Sequence, residues 1–373
     1  PEMTGSGIYL EAMIGESQKH GFSNYRIAGV PAGNIPSLKD RPQTEGACVL
    51  FESESLNFPV TGMSDVMPYK SSLFKDLKGR RLTSYKSAFT HVLEDAVNQF
   101  NPDIIHTNHL FLLSALVKKL FPTMPIVATC HGTELRQYNN CPHLRRFVKR
   151  YCRGLDKIIA LTNDQKRNIH RLYGIPLNQI IVVGGGYDQT MFTRSPKSPA
   201  GTVHILYAGK FNRSKGVPWL LRSLTKIKHH DWHLHMAGSG KGQEYNHCID
   251  LAEKLGRKVT NHGYVTHHQL SELMKKAHIQ VLPSFFEGLP LVLFEGLASG
   301  CRIITTDLSG FDEIFGNASR ETIDLIQLPP LETIDRPYRK DEAQLEDALC
   351  QRILDMMADS YTHLTLPTMQ RMS

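Results

Sequence analysis

Two glutamates with seven residues between them, Glu287 and Glu295, are the residues of this sequence best placed to do chemistry. Residues 278–282 form a short apolar run that indicates a buried strand, and residues 291–299 carry helix formers up to Gly300. One glutamate then lies in the turn and the other inside the helix. Eight helical steps span ~12 Å, more than the roughly 5 to 9.5 Å between the paired carboxylates of glycosidases. The two side chains therefore suit opposite ends of one long ligand.

The turn between the predicted strand and helix favours an anion. Gly288 and Leu289 lead into Pro290, and proline is best tolerated at the first position of a helix. A helix N-terminus offers unpaired N–H groups and a partial positive charge. We therefore expect this turn to attract phosphate.

Spaced cations follow another predicted strand, residues 203–208, and precede a helix predicted over residues 217–228. Lys210, Arg213 and Lys215 stand in this glycine-containing loop. A strand, a glycine, spaced cations and a helix N-terminus together are what a diphosphate needs. A further glycine turn, with Gly238 and Gly240, follows the strand predicted over residues 232–237. It is similar to the dinucleotide motif G-x-G-x-x-G, but Gln243 occupies the third position, which argues against a nicotinamide site.

The N-terminal half offers two further candidates. His131 begins the tetrapeptide His-Gly-Thr-Glu after a strand predicted over residues 125–129, at the edge where open α/β sheets place their ligands. Gly5 and Gly7 belong to a turn before a helix predicted over residues 8–19. An ordinary tight turn explains these glycines as well as a ligand does.

Residues 283–300 resemble the signature of the retaining glycosyltransferases of family four, whose E-x7-E motif stands here as Glu287 and Glu295. The resemblance covers roughly residues 1–358 and is most specific over residues 209–310. It implies the GT-B fold, an α/β architecture with two doubly wound, Rossmann-like domains that face each other across a cleft.

The resemblance also implies a role for each candidate. Glu295 is expected to hold the ribose hydroxyls of a nucleotide-sugar, while Glu287 and His131 lie beside the transferred sugar. Lys210, which replaces the family's usual arginine, and Lys215 are expected to neutralise the leaving diphosphate. The implied catalytic residues are His131, Lys210, Lys215 and Glu287. The implied donor-binding residues are Gly5, Gly7, Arg213, Gly238, Gly240, Gly288, Leu289, Pro290 and Glu295.

The implied reaction is transfer of a sugar, with retention, from a nucleotide-sugar to a hydroxyl of a glycan, lipid or small molecule, in polysaccharide or cell-envelope biosynthesis. No side chain stands out as a nucleophile. The sequence contains no D-x-D triplet, so we expect neither a metal nor another cofactor. Two alternatives stay open: a nucleotide-sugar epimerase on the same scaffold, and an inactive fragment that only binds nucleotides.

Length and composition indicate the general class of protein to which the chain belongs. A chain of 373 residues suggests two domains. With 41% hydrophobic and 21% charged residues, and no apolar run near the ~18 residues of a membrane span, it is expected to be soluble. Seven cysteines without a C-x-x-C pair favour reduced thiols and a cytoplasmic protein. The net charge of +7 suits several anionic partners, although the resemblance implies no nucleic acid among them.

A polar segment with two prolines, residues 193–201, is predicted to link the domains. The expected limits are residues 1–196 for an acceptor-side domain, 197–359 for a domain that binds the nucleotide-sugar, and 360–373 for a non-native tail. The tail resembles the translated read-through of a sequencing adapter. The first domain is expected to lack its first strand, which leaves an open slot beside the strands predicted over residues 24–30 and 104–106.

Residues 143–153 predict an amphipathic helix with an apolar face and five cations elsewhere. Two interpretations are open. The helix docks onto anionic lipid at the inner face of the membrane, as in family members with lipid acceptors. Alternatively, its apolar face packs against the core and its basic side is simply solvated.

Overall fold

The structure, a computed structural model, describes residues 5–33, 44–64, 67, 69–198, 201–308, 310–315, 322–333 and 335–360. Contacts divide the chain into two compact units, Pro1–Gly184 and Gly185–Ser373. The division falls before residue 196 because Phe192 is buried in the core of the second unit. The domain limits given above stay a prediction, and residues 361–373 lie outside the described part of the chain.

The first unit alternates helices and strands. Its elements are α1 (Gly5–Lys19), β1 (Asn24–Pro31), β2 (Thr44–Phe51), β3 (Thr61–Gly62), β4 (Ser72–Leu73), α2 (Gly79–Phe100), β5 (Ile105–Thr107), α3 (Leu112–Leu120), β6 (Ile126–Thr129), α4 (Thr133–Asn140), α5 (Pro142–Cys152), β7 (Lys157–Ala160), α6 (Asn163–Tyr173) and β8 (Ile180–Val182). Gly5 and Gly7 lie in the first turn of α1, so the turn predicted at these glycines is helical instead.

The described strands of the first unit pair in three parallel groups. β1 pairs with β2, β3 pairs with β4, and β5, β6, β7 and β8 form a four-stranded sheet in that order. Within the described residues, β1 and β5 are not hydrogen-bonded to each other. The missing first strand itself stays a prediction.

The second unit repeats the alternation more regularly. Its elements are β9 (Val203–Ala208), α7 (Val217–Lys226), β10 (Trp232–Ala237), α8 (Gly242–Leu255), β11 (Val259–Gly263), α9 (His267–Lys276), β12 (Ile279–Leu282), α10 (Leu291–Ala298), β13 (Arg302–Thr306), α11 (Phe311–Phe315), β14 (Ile323–Ile326), β15 (Leu331–Thr333), β16 (Arg336–Pro337) and α12 (Glu342–Ser360).

Six parallel strands of the second unit form one sheet in the order β11-β10-β9-β12-β13-β14. This is the doubly wound order, in which the chain changes direction between its first strand, β9, and its fourth, β12. Ligands of such sheets bind in the crevice at the carboxyl ends of the two strands beside this switch point. The loops that leave β9 and β12 there are the two loops that carry the predicted cations and glutamates.

A single hydrophobic core holds the second sheet. All four residues of β12 are buried, as expected for a parallel strand covered on both faces. Both tryptophans of the chain, Trp219 and Trp232, are also buried in this unit. Tryptophan fluorescence therefore reports on the second unit alone.

Candidate functional site

Two loops meet at the switch point of the second unit because glycines allow their backbones to touch. Gly216, at the start of α7, has a φ of 68°, and a Cβ atom there would come far closer than 3.0 Å to the carbonyl oxygen of Pro283. Phe285 N also donates to the carbonyl of Ser214 at 2.9 Å. Cβ atoms essentially never approach other atoms within 3.0 Å. The loop after β9 therefore lies directly on the loop after β12.

This contact brings Lys215 to Glu287. Lys215 Nζ lies 2.6 Å from Glu287 Oε2 and 3.4 Å from the carbonyl oxygen of Phe286. Ser284 Oγ donates to the other carboxylate oxygen of Glu287 at 2.7 Å. The two predicted catalytic residues thus form one ion pair at the carboxyl edge of the sheet, with both side chains partly buried.

Lys210 adds a second cation to this edge. Burial and the nearby charge of Lys215 hold its pKa below the usual value, while Glu287 acts in the opposite direction. Its backbone carbonyl accepts a hydrogen bond from Tyr207 Oη at 2.7 Å, which fixes the start of the loop. Two ammonium groups and one carboxylate are thereby held together, and the net positive charge suits an anionic ligand.

Glu295 lies inside α10 and is only 7% exposed. Burial raises the pKa of its carboxyl group to about 7. The ionisable partner beside it is His267, whose Nε2 lies 3.8 Å from Glu295 Oε1. His267 also meets the ring of Phe192 edge to face, and burial lowers its pKa. Because its pKa lies near 7, the carboxyl group of Glu295 changes its charge readily when a ligand binds.

His267 is a residue that the sequence analysis missed. A signal was present, because Thr266 and Gln269 form a capping box that starts α9 at His267. Recognition of that box would have placed His267 at a helix N-terminus on the edge of the sheet that carries the ligand site.

The turn that enters α10 differs slightly from its prediction. Pro290 is the N-cap of the helix, not its first helical residue. Leu289 packs against the backbone of Gly185, where an added Cβ would lie 2.5 Å from Leu289 Cδ2. Gly288 lies in the same turn, between the ion-paired Glu287 and the helix. These donor-site candidates are therefore held near the switch point.

The glycine turn after β10 joins the same edge. A Cβ atom at Gly238, whose φ is 144°, would overlap the carbonyl oxygen of Gly209. At Gly240 it would lie 2.8 Å from the carbonyl oxygen of Phe211. Both glycines therefore let their turn pack on the loop that carries Lys210.

The side chain of Arg213 contacts α12 instead of Glu287. Its guanidinium lies 3.4 Å from a carboxylate oxygen of Glu342 in α12, and half of the side chain is exposed. Arg222 contacts the same carboxylate at 3.3 Å. The structure thus places the Arg213 side chain against α12, whereas Lys210 and Lys215 stand beside Glu287.

In the first unit, His131 belongs to a separate polar cluster. Its Nε2 lies 3.0 Å from Asn108 Oδ1, and burial lowers the pKa of its imidazole to about 4. The ring of Tyr9 meets it edge to face at 4.9 Å. Asn108 also donates to the carbonyl of Ser6 at 2.8 Å, so the Gly5 to Gly7 turn of α1 is tied to the histidine.

The fully buried Glu134 positions this cluster. It accepts hydrogen bonds of 3.1 Å from the backbone N–H of His131 and one of 2.6 Å from His109 Nδ1. Burial is the largest single influence and would raise the pKa of Glu134, but the charge and hydrogen bond of His109, the charge of His131 and a backbone N–H together outweigh it, so the net pKa is lowered. The ionised carboxylate of Glu134 holds the loop of His131 in place. His131 itself is neutral at pH 7 because its pKa is so low.

Helix α5 packs its apolar face inward, with Leu144 and Val148 buried in the core of the first unit. Four cations line one concavity on its outer side: Arg146, Lys149, Arg150 and Arg153. Within the described residues, none of these four forms an ion pair with a carboxylate. The outer side of α5 is therefore a strongly positive surface without an apolar stripe.

Two absences can be stated for the part of the chain that the structure describes. No group of three or more histidine, cysteine, aspartate or glutamate side chains there could hold a metal ion. None of the helices in these ranges combines the length and apolar character required to cross a membrane.

Two family models match the chain. The model for glycosyl transferases group 1 matches residues 188–323, and the model for glycosyltransferase family 4 matches residues 72–190. The glycogen synthase of Mycobacterium tuberculosis is 29% identical over 227 residues, which cover 57% of this chain and 54% of that protein. The chain thus spans about half the length of this curated relative.

Solved structures are similar in fold to this chain over most of its length. Sucrose-phosphate synthase from Thermosynechococcus elongatus superposes with a TM-score of 0.69 at 18% identity, covering 96% of this chain and 91% of that one. HepE from Anabaena, solved in complex with UDP and glucose, has a TM-score of 0.56 at 12% identity and coverages of 91% and 100%. At such identities the likeness shows the fold alone.

Proposed function

Because the chain belongs to the group 1 glycosyltransferases of family four and has their GT-B fold, we propose that it transfers a sugar from a nucleotide-sugar to an acceptor hydroxyl with retention. The observation that carries the proposal is the arrangement at the switch point of the second unit. Lys215 is paired with Glu287 at 2.6 Å, and Lys210 lies close enough for the two ammonium charges to interact. This is the charge pattern that a nucleoside diphosphate with an attached sugar requires.

In this proposal the two lysines bind the diphosphate and stabilise the charge that develops as the glycosidic bond breaks. Glu287 leaves part of its pairing with Lys215 to accept a hydroxyl of the sugar. Glu295 accepts the ribose hydroxyls with its buried carboxyl group. Gly238, Gly240 and the turn of Gly288, Leu289 and Pro290 shape the surface against the nucleotide.

No side chain is assigned as a nucleophile. We propose that the acceptor attacks on the face from which the diphosphate leaves, and that a leaving phosphate oxygen takes the acceptor's proton. The bond from the anomeric carbon to the phosphate oxygen breaks while the bond to the acceptor oxygen forms. Neutral His131 is assigned one hydrogen bond to the sugar, as the family resemblance implies, and neither a metal nor another cofactor takes part.

The substrate class follows from chemistry and from the relatives. A UDP-sugar is the first donor to test, because HepE was solved with UDP and glucose. A polysaccharide acceptor is favoured, because the Mycobacterium tuberculosis relative is a glycogen synthase. The protein then works in the cytoplasm, with glycan, lipid or small-molecule acceptors.

A panel of UDP-, ADP- and GDP-sugars tests the proposal. We expect one family of donors to raise the thermal midpoint reported by tryptophan fluorescence, and to yield a glycosylated acceptor in the presence of EDTA. Glu253→Gln, an exposed change on α8, serves as a control that leaves both readouts unaltered. An epimerised nucleotide-sugar formed without acceptor would replace the proposal with an epimerase. Stabilisation without turnover would leave only nucleotide binding, and no stabilisation by any donor would contradict the donor site.

We also propose that α5 holds the protein at an anionic membrane surface by charge alone. The apolar face of the helix is buried, so insertion into lipid is not available to it. Each basic side chain near such a surface contributes about 1 kcal/mol. We expect Arg150→Ser combined with Arg153→Ser to weaken binding to vesicles containing phosphatidylglycerol about thirtyfold. The exposed pair Lys78→Ser and Arg80→Ser is the matched control, and equal losses in both would contradict a role specific to α5.

A further inference from the structure

A buried amide under helix α10 has no evident structural reason to be there. Gln280 is the second residue of β12, where its neighbours in the strand are Ile279, Val281 and Leu282. Its side chain is fully buried. Nε2 donates to the backbone carbonyl of Val292 at 3.0 Å, but Oε1 has no hydrogen-bond partner among the described residues. A buried polar atom without a partner is costly, and each such atom calls for an explanation.

Gly296 is the counterpart of this amide on the helix. A Cβ atom at Gly296 would lie far inside 3.0 Å of Gln280 Oε1, and 3.4 Å from Ile303 Cδ1. Glycine in a helix interior is unfavourable compared with alanine, so its presence needs a packing reason. Here the reason is that the Gln280 amide occupies the space a methyl group would fill.

Helix α10 has little freedom to avoid such a clash by sliding. The ammonium of Lys197 donates to the carbonyls of Ser299 and Met274 at 2.9 and 2.6 Å, and so joins the ends of α10 and α9. At the other end, Gln280 holds the carbonyl of Val292. Gln280 therefore holds α10 from the sheet side, and Lys197 holds its C-terminal end. An added methyl group at Gly296 must then lift the middle of the helix away from the sheet.

Glu295 precedes Gly296 directly, so any lift of this turn moves its carboxyl group. We propose that Gln280 is a positioning residue that sets the height of α10 over the sheet, and thereby the reach of Glu295 to the ribose of the donor. Gly296 is the residue that makes room for it. The inference rests on the proposed function, because it concerns the same nucleotide site. It assigns roles to two residues that do not touch the donor.

The test is a double-mutant cycle of Gly296→Ala, Gln280→Ala and the combined variant. UDP, ADP and GDP are titrated against each protein by calorimetry, together with their 2′,3′-dideoxy forms. We expect Gly296→Ala to weaken binding of the natural nucleotide about tenfold, and the combined variant to bind within about threefold of Gln280→Ala. Affinity for the dideoxy nucleotide should be unchanged throughout, because that ligand has no ribose hydroxyls for Glu295. A purely structural role for Gly296 would lower the two affinities equally.

Two further variants make the result decisive. Gly15→Ala, inside α1, is the matched control, because nothing lies within 4 Å of a Cβ atom there. If Gly296→Ala fails to fold, the tryptophan-monitored midpoint shows it, and recovery of folding and ribose-dependent binding in the combined variant still supports the inference. Failure of the combined variant to recover binding overturns it. If Glu295→Gln loses ribose-dependent binding while Gly296→Ala keeps it, only this inference is wrong. If no nucleotide binds the wild type, the proposed function is wrong and the inference with it.

Discussion

We expect Lys215→Met to lower turnover about 10²- to 10³-fold, while the apparent binding constant of the donor rises far less. Loss of one preorganised group that stabilises developing charge costs about 2.7 to 4 kcal/mol in the transition state. In the ground state the donor keeps Lys210, so part of the binding energy remains. A group that matters more as the diphosphate departs affects turnover more than binding. The measurement is steady-state kinetics over a range of donor concentrations.

The ion pair with Glu287 requires a control, because the variant leaves this carboxylate with the Ser284 hydroxyl as its hydrogen-bond partner. Lys254→Met is the matched change, since Lys254 is an exposed lysine near the C-terminal end of α8. Tryptophan-monitored unfolding checks that the fold survives. Phe285, which follows Ser284, stacks on Trp219 at 5.4 Å, so a displaced loop would change the fluorescence. A Lys215→Met enzyme with the turnover of the Lys254→Met control would remove Lys215 from the catalytic residues.

Local patterns in the sequence predicted the frame of this site well. The predicted bounds of β9 and β10 agree with the structure, because β9 is a largely apolar run, β10 begins with alternating apolar residues and histidines, and turn residues follow both. The strand, turn and helix around Glu287 also form as predicted. Since parallel strands bring their carboxyl ends to one edge, the motifs that follow β9 and β12 then had to meet.

Contacts between elements could not be predicted in the same way. Lys197 was assigned to a polar linker, yet its ammonium binds the ends of two helices. Arg213 was counted with the diphosphate cations, but its partner Glu342 lies 129 residues further along the chain. The gap at Gly296 under α10 is likewise set by the Gln280 side chain from another element. Such partners depend on tertiary packing, which local composition does not encode.

Glu295→Gln is expected to stabilise the protein and to weaken nucleotide binding at the same time. Burial raises the pKa of Glu295 from 4.5 to about 7, so the folded state retains a proton that the unfolded state has lost between these pH values. Stability therefore falls as the pH rises from about 4.5 to 7 and stays low above it. The shift corresponds to about 3 kcal/mol. Glutamine carries no such penalty at any pH.

The expected result is a difference in stability between Glu295→Gln and the wild type that depends on pH. By tryptophan-monitored unfolding, Glu295→Gln and the wild type should be about equally stable at pH 5, and the variant more stable by about 3 kcal/mol at pH 8. His267 acts in the opposite direction, because its lowered pKa removes stability as the pH falls below 6.5, but it is present in both proteins. The exposed change Glu253→Gln should show no such divergence.

Nucleotide affinity completes the argument. A charged acceptor contributes about 1.5 to 3 kcal/mol to its hydrogen bonds, so the variant should bind the nucleoside diphosphate about tenfold more weakly at pH 8. At pH 5, where the wild-type carboxyl group is protonated, the difference should shrink. A ligand site explains a buried carboxylate that destabilises the fold and strengthens ribose binding. A glutamate with a purely structural role would not show this combination. A variant that is more stable at pH 8 yet binds the nucleotide as the wild type does would place the ribose elsewhere.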